Sequence, residues 1–446
     1  MVGHRDESPD VAQLYIHDLW TSFISDYACQ AYNQRRRHFT RLLGLPSVGG
    51  AMNNDAHRSA PTSSPWPVVV RAAAALAAAM GVGRFAFTPI LPLMQAQAGM
   101  SAGLGACLAT VNYLGYLAGA LLGIAAPAVV RSASALRGSL LALVASLALM
   151  PVLTGAPAWS ALRLVAGAAS ALIFVIAVSA ALSQLRAHAQ HFAGWVFGGV
   201  GAGIALSGLL VLVERAVGTW QEAWWTCAGL TALLAAIAWR LPPEQSAEAA
   251  TAGATGPRTH WWFVPLLASY TLEGVGYIIA GTFLVAAIER SAPGALGAGA
   301  WVLVGLAALP SCAAWAWLSR HWSRPALLLA ALVIQALGIA LPAVFPGVAP
   351  SLTSAVLFGA TFMGISTITL AIGRHLRVPR AVAMLTAGYS AGQILGPVLS
   401  APLLHGGYDQ VLVLASALVL AAGIAAAAVR VRFPHRSGTT PRPSRT

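Results

Sequence analysis

Away from the ends of its long apolar stretches, this 446-residue chain carries three side chains of formal charge: Arg84, Arg163 and Glu273. An ionised group at the centre of a bilayer costs roughly 2.5 to 3.5 kcal/mol on insertion scales, so none of the three should face lipid and each is a functional candidate by default. Glu273 is the only acid in the apolar core of any such stretch, in TLEGVGYIIAGTFL, with Tyr270 and Tyr277 on the same helical face. Carboxyl protonation responds to burial and to nearby guanidinium groups, so a glutamate whose exposure alternates can take up and release a proton. A structural glutamate, paired with an arginine or capping a kink beside Gly274, is the alternative.

Arg84 follows Gly83 and precedes Thr88, Pro89 and Pro92, and the two prolines are expected to break the helix near its outer end. Arg163 begins RLVAGAASALIF, where Gly167 and Ser170 give a face small enough for close helix packing. Guanidinium remains charged and its planar fork suits carboxylate or phosphate. Both arginines are therefore candidates for contacting an anionic substrate or for balancing Glu273, with a purely structural bond to backbone carbonyls as the alternative. The uncharged candidates are Asn112 with Tyr116, Tyr389 with Gln393, Tyr277, Thr361 and Ser366, residue types that as often bridge helices as touch a ligand. The sequence contains no HExxH or Walker A motif and no intramembrane His/Asp cluster. It calls for no cofactor and no metal, and points away from an enzyme and from an ATP-driven pump.

The elements that must position these residues are set by composition. Hydrophobic residues make up 58% of the chain and charged ones 9%, against roughly 45–50% and 25% in ordinary soluble domains. That excludes a soluble globule, and disorder fails for the same reason. A crossing needs about 20 apolar residues, and twelve such stretches follow Pro67. They run Val68 to Leu91, Leu104 to Ala126, Ser139 to Leu153, Trp159 to Leu182, Phe192 to Val213, Trp220 to Trp239, Trp262 to Ile288, Ala298 to Leu318, Pro325 to Val344, Ser351 to Ile372, Ala381 to Leu404, and Val411 to Val431. Long unbroken runs also exclude a transmembrane β-barrel.

The organisation expected is all-α: a polar N-terminal extension over 1–65, a six-helix bundle over 66–240, a cytoplasmic linker over 241–260, a second six-helix bundle over 261–432 and a basic tail over 433–446. Met52 opens a shorter leader, so residues 1–51 read as a start-site artefact or a small regulatory segment. The net charge of +13 comes from arginine, placed mainly at helix ends and in loops rather than in a nucleic-acid patch. With both termini cytoplasmic, the inner loops hold Arg131, Arg137, Arg186, Arg240, Arg258, Arg320, Arg324, Arg374, Arg377 and Arg380, whereas the outer loops hold only Arg215 and Arg290, each beside a glutamate. Trp66, Trp159, Trp220, Trp261 and Trp262 read as interfacial anchors, and the cysteines, three of them in apolar runs, read as small buried hydrophobes.

The halves also share a repeat. Gly81-Val82-Gly83 recurs as Gly274-Val275-Gly276, Gly167-Ala168 as Gly359-Ala360, and Gly194-Trp195 with Gly198 as Gly388-Tyr389 with Gly392, at offsets of 193, 192 and 194. Parallel six-helix repeats with a midplane site between them are a transporter architecture, with rocking of the halves as the default mechanism. Glycine-rich helices five and eleven are the expected rocking elements. Two arginines against one glutamate leave the site net positive, which slightly favours an organic anion.

The segments GVGRFAFTPILPLM, NYLGYLAGALLG, RLVAGAASA, LEGVGYIIAGTF, LFGATFMGI and GQILGPVL resemble the YbfB/YjiJ-type branch of the major facilitator superfamily, over Trp66 to about Arg432. The resemblance implies an inner-membrane secondary transporter, usually proton-coupled, whose cavity is lined by helices one, four, seven and ten. The partners expected are a small-molecule substrate, protons and the lipid bilayer, with no nucleic acid and a monomer as the working unit. It puts Arg84, Arg163 and Glu273 on cavity-lining helices. Two departures stand out: APAVVRSASALRG and LSRHWSRP keep the arginines of the family's cytoplasmic gate but lack its acid, and no proline follows Gly203 to complete the antiporter signature. A membrane sensor that keeps this fold without net transport is the rival reading, and a membrane-embedded enzyme a more distant one.

Overall fold

The computed structural model describes residues 64–185, 188, 191–243, 260–291, 295–376, 378–400, 402–403, 408–431 and 433. Most of the N-terminal extension, the linker and the tail, with Arg186, Arg258, Arg377, Arg432 and Arg436, thus lie outside the described residues. Twelve long helical rods follow one another: α1 Trp66–Ala98, α2 Ala102–Ala125, α3 Ala133–Leu149, α4 Ala156–Gln184, α5 His191–Val217, α6 Trp220–Ala238, α7 His260–Ser291, α8 Ala295–Leu318, α9 Arg324–Val344, α10 Val348–His375, α11 Ala381–Ser400 and α12 Tyr408–Arg430. Each overlaps one of the twelve apolar stretches. Ten of the rods are long and apolar enough to cross a membrane; α3, with 17 residues or fewer, and α6 fall outside that group. Local chemistry fixes several starts. Ser101 and Ser132 cap α2 and α3 by accepting from the Leu104 and Ala135 amides, and Thr219 with Glu222 forms a capping box on α6.

The first rod is interrupted, and not where its prolines lead one to expect. Regular helix over Trp66–Leu76 widens to π-helix over Ala77–Val82, turns through 83–86 and resumes over Phe87–Ala98. Pro89 sits in the first turn of the resumed helix, where its missing N–H breaks no bond, and the helix runs on through Pro92 to Gly99, whose φ of 66° closes it. A π-turn disturbs the regular ladder, and carbonyls released in an apolar bundle must be satisfied by neighbouring side chains. Three supply the need: the Ser170 hydroxyl donates to Ala79 O at 2.9 Å, the Ser207 hydroxyl to Gly81 O at 3.2 Å, and Arg163 Nη1 to Gly83 O at 3.3 Å.

Rods α2, α3 and α4 pack together, as do α7, α11 and α12, and α8, α9 and α10 join through α10; α1 lies along α5. Between the halves α5 runs along α8, and α2 along α11. Glycine lets these rods approach to backbone contact. A Cβ on Gly201 in α5 would lie 2.8 Å from the Gly305 carbonyl oxygen in α8. The repeat reappears as packing: Gly167 meets the Asn112 carbonyl, Gly359 meets the Val304 carbonyl, and both partners are displaced by the same 192 positions.

Two expectations need correcting. Trp159 and Trp220 are buried, edge to face at 6.0 Å, with Trp159 Nε1 donating to Met150 O, so they tie α4 to α6 instead of anchoring at the interface; Trp66 and Trp261 are exposed. Among the cysteines, Cys227 and Cys312 are buried but Cys107 is exposed on α2.

The α5/α8 contact should be intolerant of bulk. Gly201→Leu is expected to cost roughly 1–3 kcal/mol through overpacking, read as a lowered Tm in detergent. Gly229→Ala, where nothing lies within 4 Å of the added Cβ, should melt at or above the wild-type temperature.

Candidate functional site

The turn that breaks α1 delivers Arg84 to the seam between the halves. Its side chain is 3% exposed. The guanidinium carbon lies 4.5 Å from the Tyr116 ring centroid, 5.1 Å from Tyr113 and 5.6 Å from Phe85, and Nη2 donates to Gln393 Oε1 on α11. Ring faces attract a cation most strongly when water is absent, so three aromatic rings and one amide replace the hydration this charge has lost. The replacement is incomplete: Arg84 Nε and Nη1 have no partner.

Arg163 and Asn112 belong to the layer behind. Asn112 Nδ2 donates to the Arg163 carbonyl at 2.9 Å, while the Arg163 guanidinium bonds the Gly83 carbonyl and covers the Phe87 ring at 4.7 Å. Arg163 thus holds both sides of the break and thereby fixes the direction of Arg84. Of the alternatives open for this arginine, the structure displays the bond to backbone.

On the opposite side the aromatic rings of α7, α10 and α11 stack. Tyr270 lies on Tyr389 at 4.5 Å, and Tyr277 lies on Phe358 at 5.6 Å and Phe362 at 5.4 Å, with Tyr389 at 5.6 Å. Phe85, the residue after Arg84, packs edge-on against Tyr277 and Trp301, so the rings of one half close on those of the other. Tyr270 donates to Ser366 at 3.0 Å, whereas the Tyr389 hydroxyl, Trp301 Nε1 and Gln393 Nε2 are buried without partners. Thr361 spends its hydroxyl on carbonyls of its own helix. The seam therefore gathers Arg84, Tyr116, Tyr277, Tyr389 and Gln393.

Glu273 makes no hydrogen bond to this group. Completely buried, it pairs with no arginine: Oε1 accepts from Gln335 Nε2 of α9 at 3.4 Å and Oε2 has no partner. Gly274 beside it brings α7 against the Tyr389 carbonyl, where a Cβ would stand at 2.6 Å, so close packing is the reason for that glycine. Sequence reasoning passed over Gln335, although an amide alone in LLLAALVIQALGIAL is a readable signal. It also passed over Tyr113, Phe85 and Trp301, which carry no signal of their own in an aromatic-containing apolar chain.

The family model described as "Uncharacterised MFS-type transporter YbfB" matches residues 76–427. Among solved structures, that of a point mutant of the nucleoside transporter NupG superposes with a TM-score of 0.58 at 14% identity, over 82% of this chain and 99% of that one. At this identity the likeness carries the fold. No curated protein sequence gives a significant match.

The two arginines should respond oppositely to neutral replacement. Arg163→Met leaves the Gly83 carbonyl bare and is expected to cost roughly 1–3 kcal/mol. The double variant Arg84→Met, Gln393→Leu removes both partners of the seam bond and should keep or raise the Tm. Thermal unfolding of the purified protein in one detergent compares them directly.

Proposed function

The chain belongs to the YbfB-type family of major facilitator transporters, multi-pass membrane proteins, and we propose that it carries a small organic anion across the bacterial inner membrane by proton-coupled alternating access. In this reading both termini are cytoplasmic, the working unit is a monomer, and the rocking bodies are residues 66–240 and 261–432. No covalent step on the substrate and no cofactor is involved.

The observation that carries the anion is the inventory of uncommitted groups at the seam. Arg84 Nε and Nη1, Gln393 Nε2, the Tyr389 hydroxyl and Trp301 Nε1 can all donate, and all are buried without a partner. Buried donors left unmet cost stability, and a ligand rich in acceptors, above all a carboxylate matching the guanidinium fork, removes that cost. The groups come from α1, α8 and α11, hence from both halves, so such a ligand is bound by both.

Proton coupling rests on Glu273. A buried carboxylate without a countercharge is expensive, and this one has only the Gln335 amide. The neutral acid fits better, because its hydroxyl can donate to Gln335 Oε1, which has no partner, while its carbonyl oxygen keeps the bond from Nε2. A rearrangement of α7 that brings water to Glu273 would release the proton, and its return would reset the bundle.

Proteoliposomes under an imposed pH gradient, screened with a panel of radiolabelled mono- and dicarboxylates, test the reading. Wild type should accumulate at least one of them, whereas Glu273→Gln should retain exchange of the same solute across equal pH but lose accumulation at least about tenfold. Accumulation undiminished in Glu273→Gln defeats the coupling role; saturable binding with no flux makes the protein a sensor instead.

A further inference from the structure

At the end of the seam where α2, α4, α10 and α11 meet, a cavity of about 350 Å³ opens between the halves. Its wall from the first half includes Pro127, Val130, Arg131 and Ser179; from the second it includes Arg374 and Arg380, with Ala381 to Ala383 in the first turn of α11. No acid lines it. Arg131 and Arg380 are exposed and, among the described residues, neither makes an ion pair or a side-chain hydrogen bond. The cavity's wall therefore carries one arginine of the first half, Arg131, opposite two of the second, Arg374 and Arg380.

Like charges facing each other resist closure of this end, and alternating access, on which this inference rests, requires that it close. We propose that a phosphate-type oxyanion enters the cavity and bridges Arg131 to Arg374 and Arg380, so that closure of this end depends on a bound anion instead of a fixed acid. Arginine forks bond such oxyanions bidentately; a tetrahedral anion can present oxygens to both walls, with the Ser179 hydroxyl as a further donor. A soluble phosphate and the phosphate of a lipid headgroup share this chemistry.

The test reads stability, not transport, so its outcome is independent of whether a substrate is found. The full chain in neutral detergent is titrated with sodium phosphate against sodium chloride at equal ionic strength, and Tm is followed. Wild type should show a saturable rise. Arg131→Gln and Arg380→Gln should each shift the midpoint concentration at least about tenfold upward, because a bridge fails when either wall is lost. A parallel set in nanodiscs of phosphatidylglycerol or phosphatidylcholine identifies the source. Stabilisation by phosphatidylglycerol to which phosphate adds nothing, lost in both variants, assigns a headgroup; a phosphate response persisting there assigns a soluble anion. Absence of any response, or a response that survives in either variant, overturns the proposal.

Discussion

The constraint on which the rest of this structure depends is the burial of the Arg84 guanidinium at the boundary of two lipid-immersed bundles. Nothing in the bilayer can hydrate it, so the protein must supply an environment from its own helices. It does so with ring faces from α1 and α2 and one amide oxygen from α11. The arginine follows a π-turn in α1, and Ser170, Ser207 and Arg163 donate to carbonyls of that turn and of Gly83 just beyond it. Three other helix positions are thereby committed to the placement of one charge.

Much of this architecture was legible in the residues. Apolar run length located all twelve rods, because burial of backbone polar groups in lipid leaves helix as the answer for each. The scarcity of charge singled out Arg84, Arg163 and Glu273, and the offset between halves anticipated the paired contacts of Gly167 and Gly359. Partnership was not legible. Whether Arg163 meets a ligand or the Gly83 carbonyl depends on the register between α1 and α4, which periodicity does not encode. The prolines misled for a related reason: Pro89 breaks a helix only where its N–H would have been used, and the break at Ala77–Val82 had already moved the helix start to Phe87. Trp159 and Trp220 lie near helix ends as interfacial tryptophans do, yet the short reach of α6 brings their rings together inside the bundle.

Keeping the acid and the arginines apart has a physical consequence. An ion pair between Glu273 and Arg84 would stabilise one arrangement of the halves and hold the carboxylate ionised. Instead Glu273 is bonded to the Gln335 amide and Arg84 to the Gln393 amide; Tyr270 and Tyr277, which flank Glu273 in the sequence of α7, stack against Tyr389, one turn before Gln393 on α11. Such a ring stack has discrete arrangements, because a close-packed interior does not deform continuously.

The seam itself follows the same logic. Where α5 meets α8, glycine brings backbone to backbone, a contact that is broad but made of small dispersion terms, so it tolerates sliding and rolling. At the centre the halves share a hydrogen bond from a cation to a neutral amide, Arg84 to Gln393. Had the acceptor been a carboxylate, parting the halves would leave two uncompensated buried charges, a loss of roughly 3–5 kcal/mol for one partner alone. With an amide, separation strands one charge, and that charge keeps the rings of Tyr113 and Tyr116, which belong to its own half and move with it. The cation is therefore solvated by the bundle that carries it and only tethered to the other, an arrangement that lets the seam open without first finding a new home for the arginine.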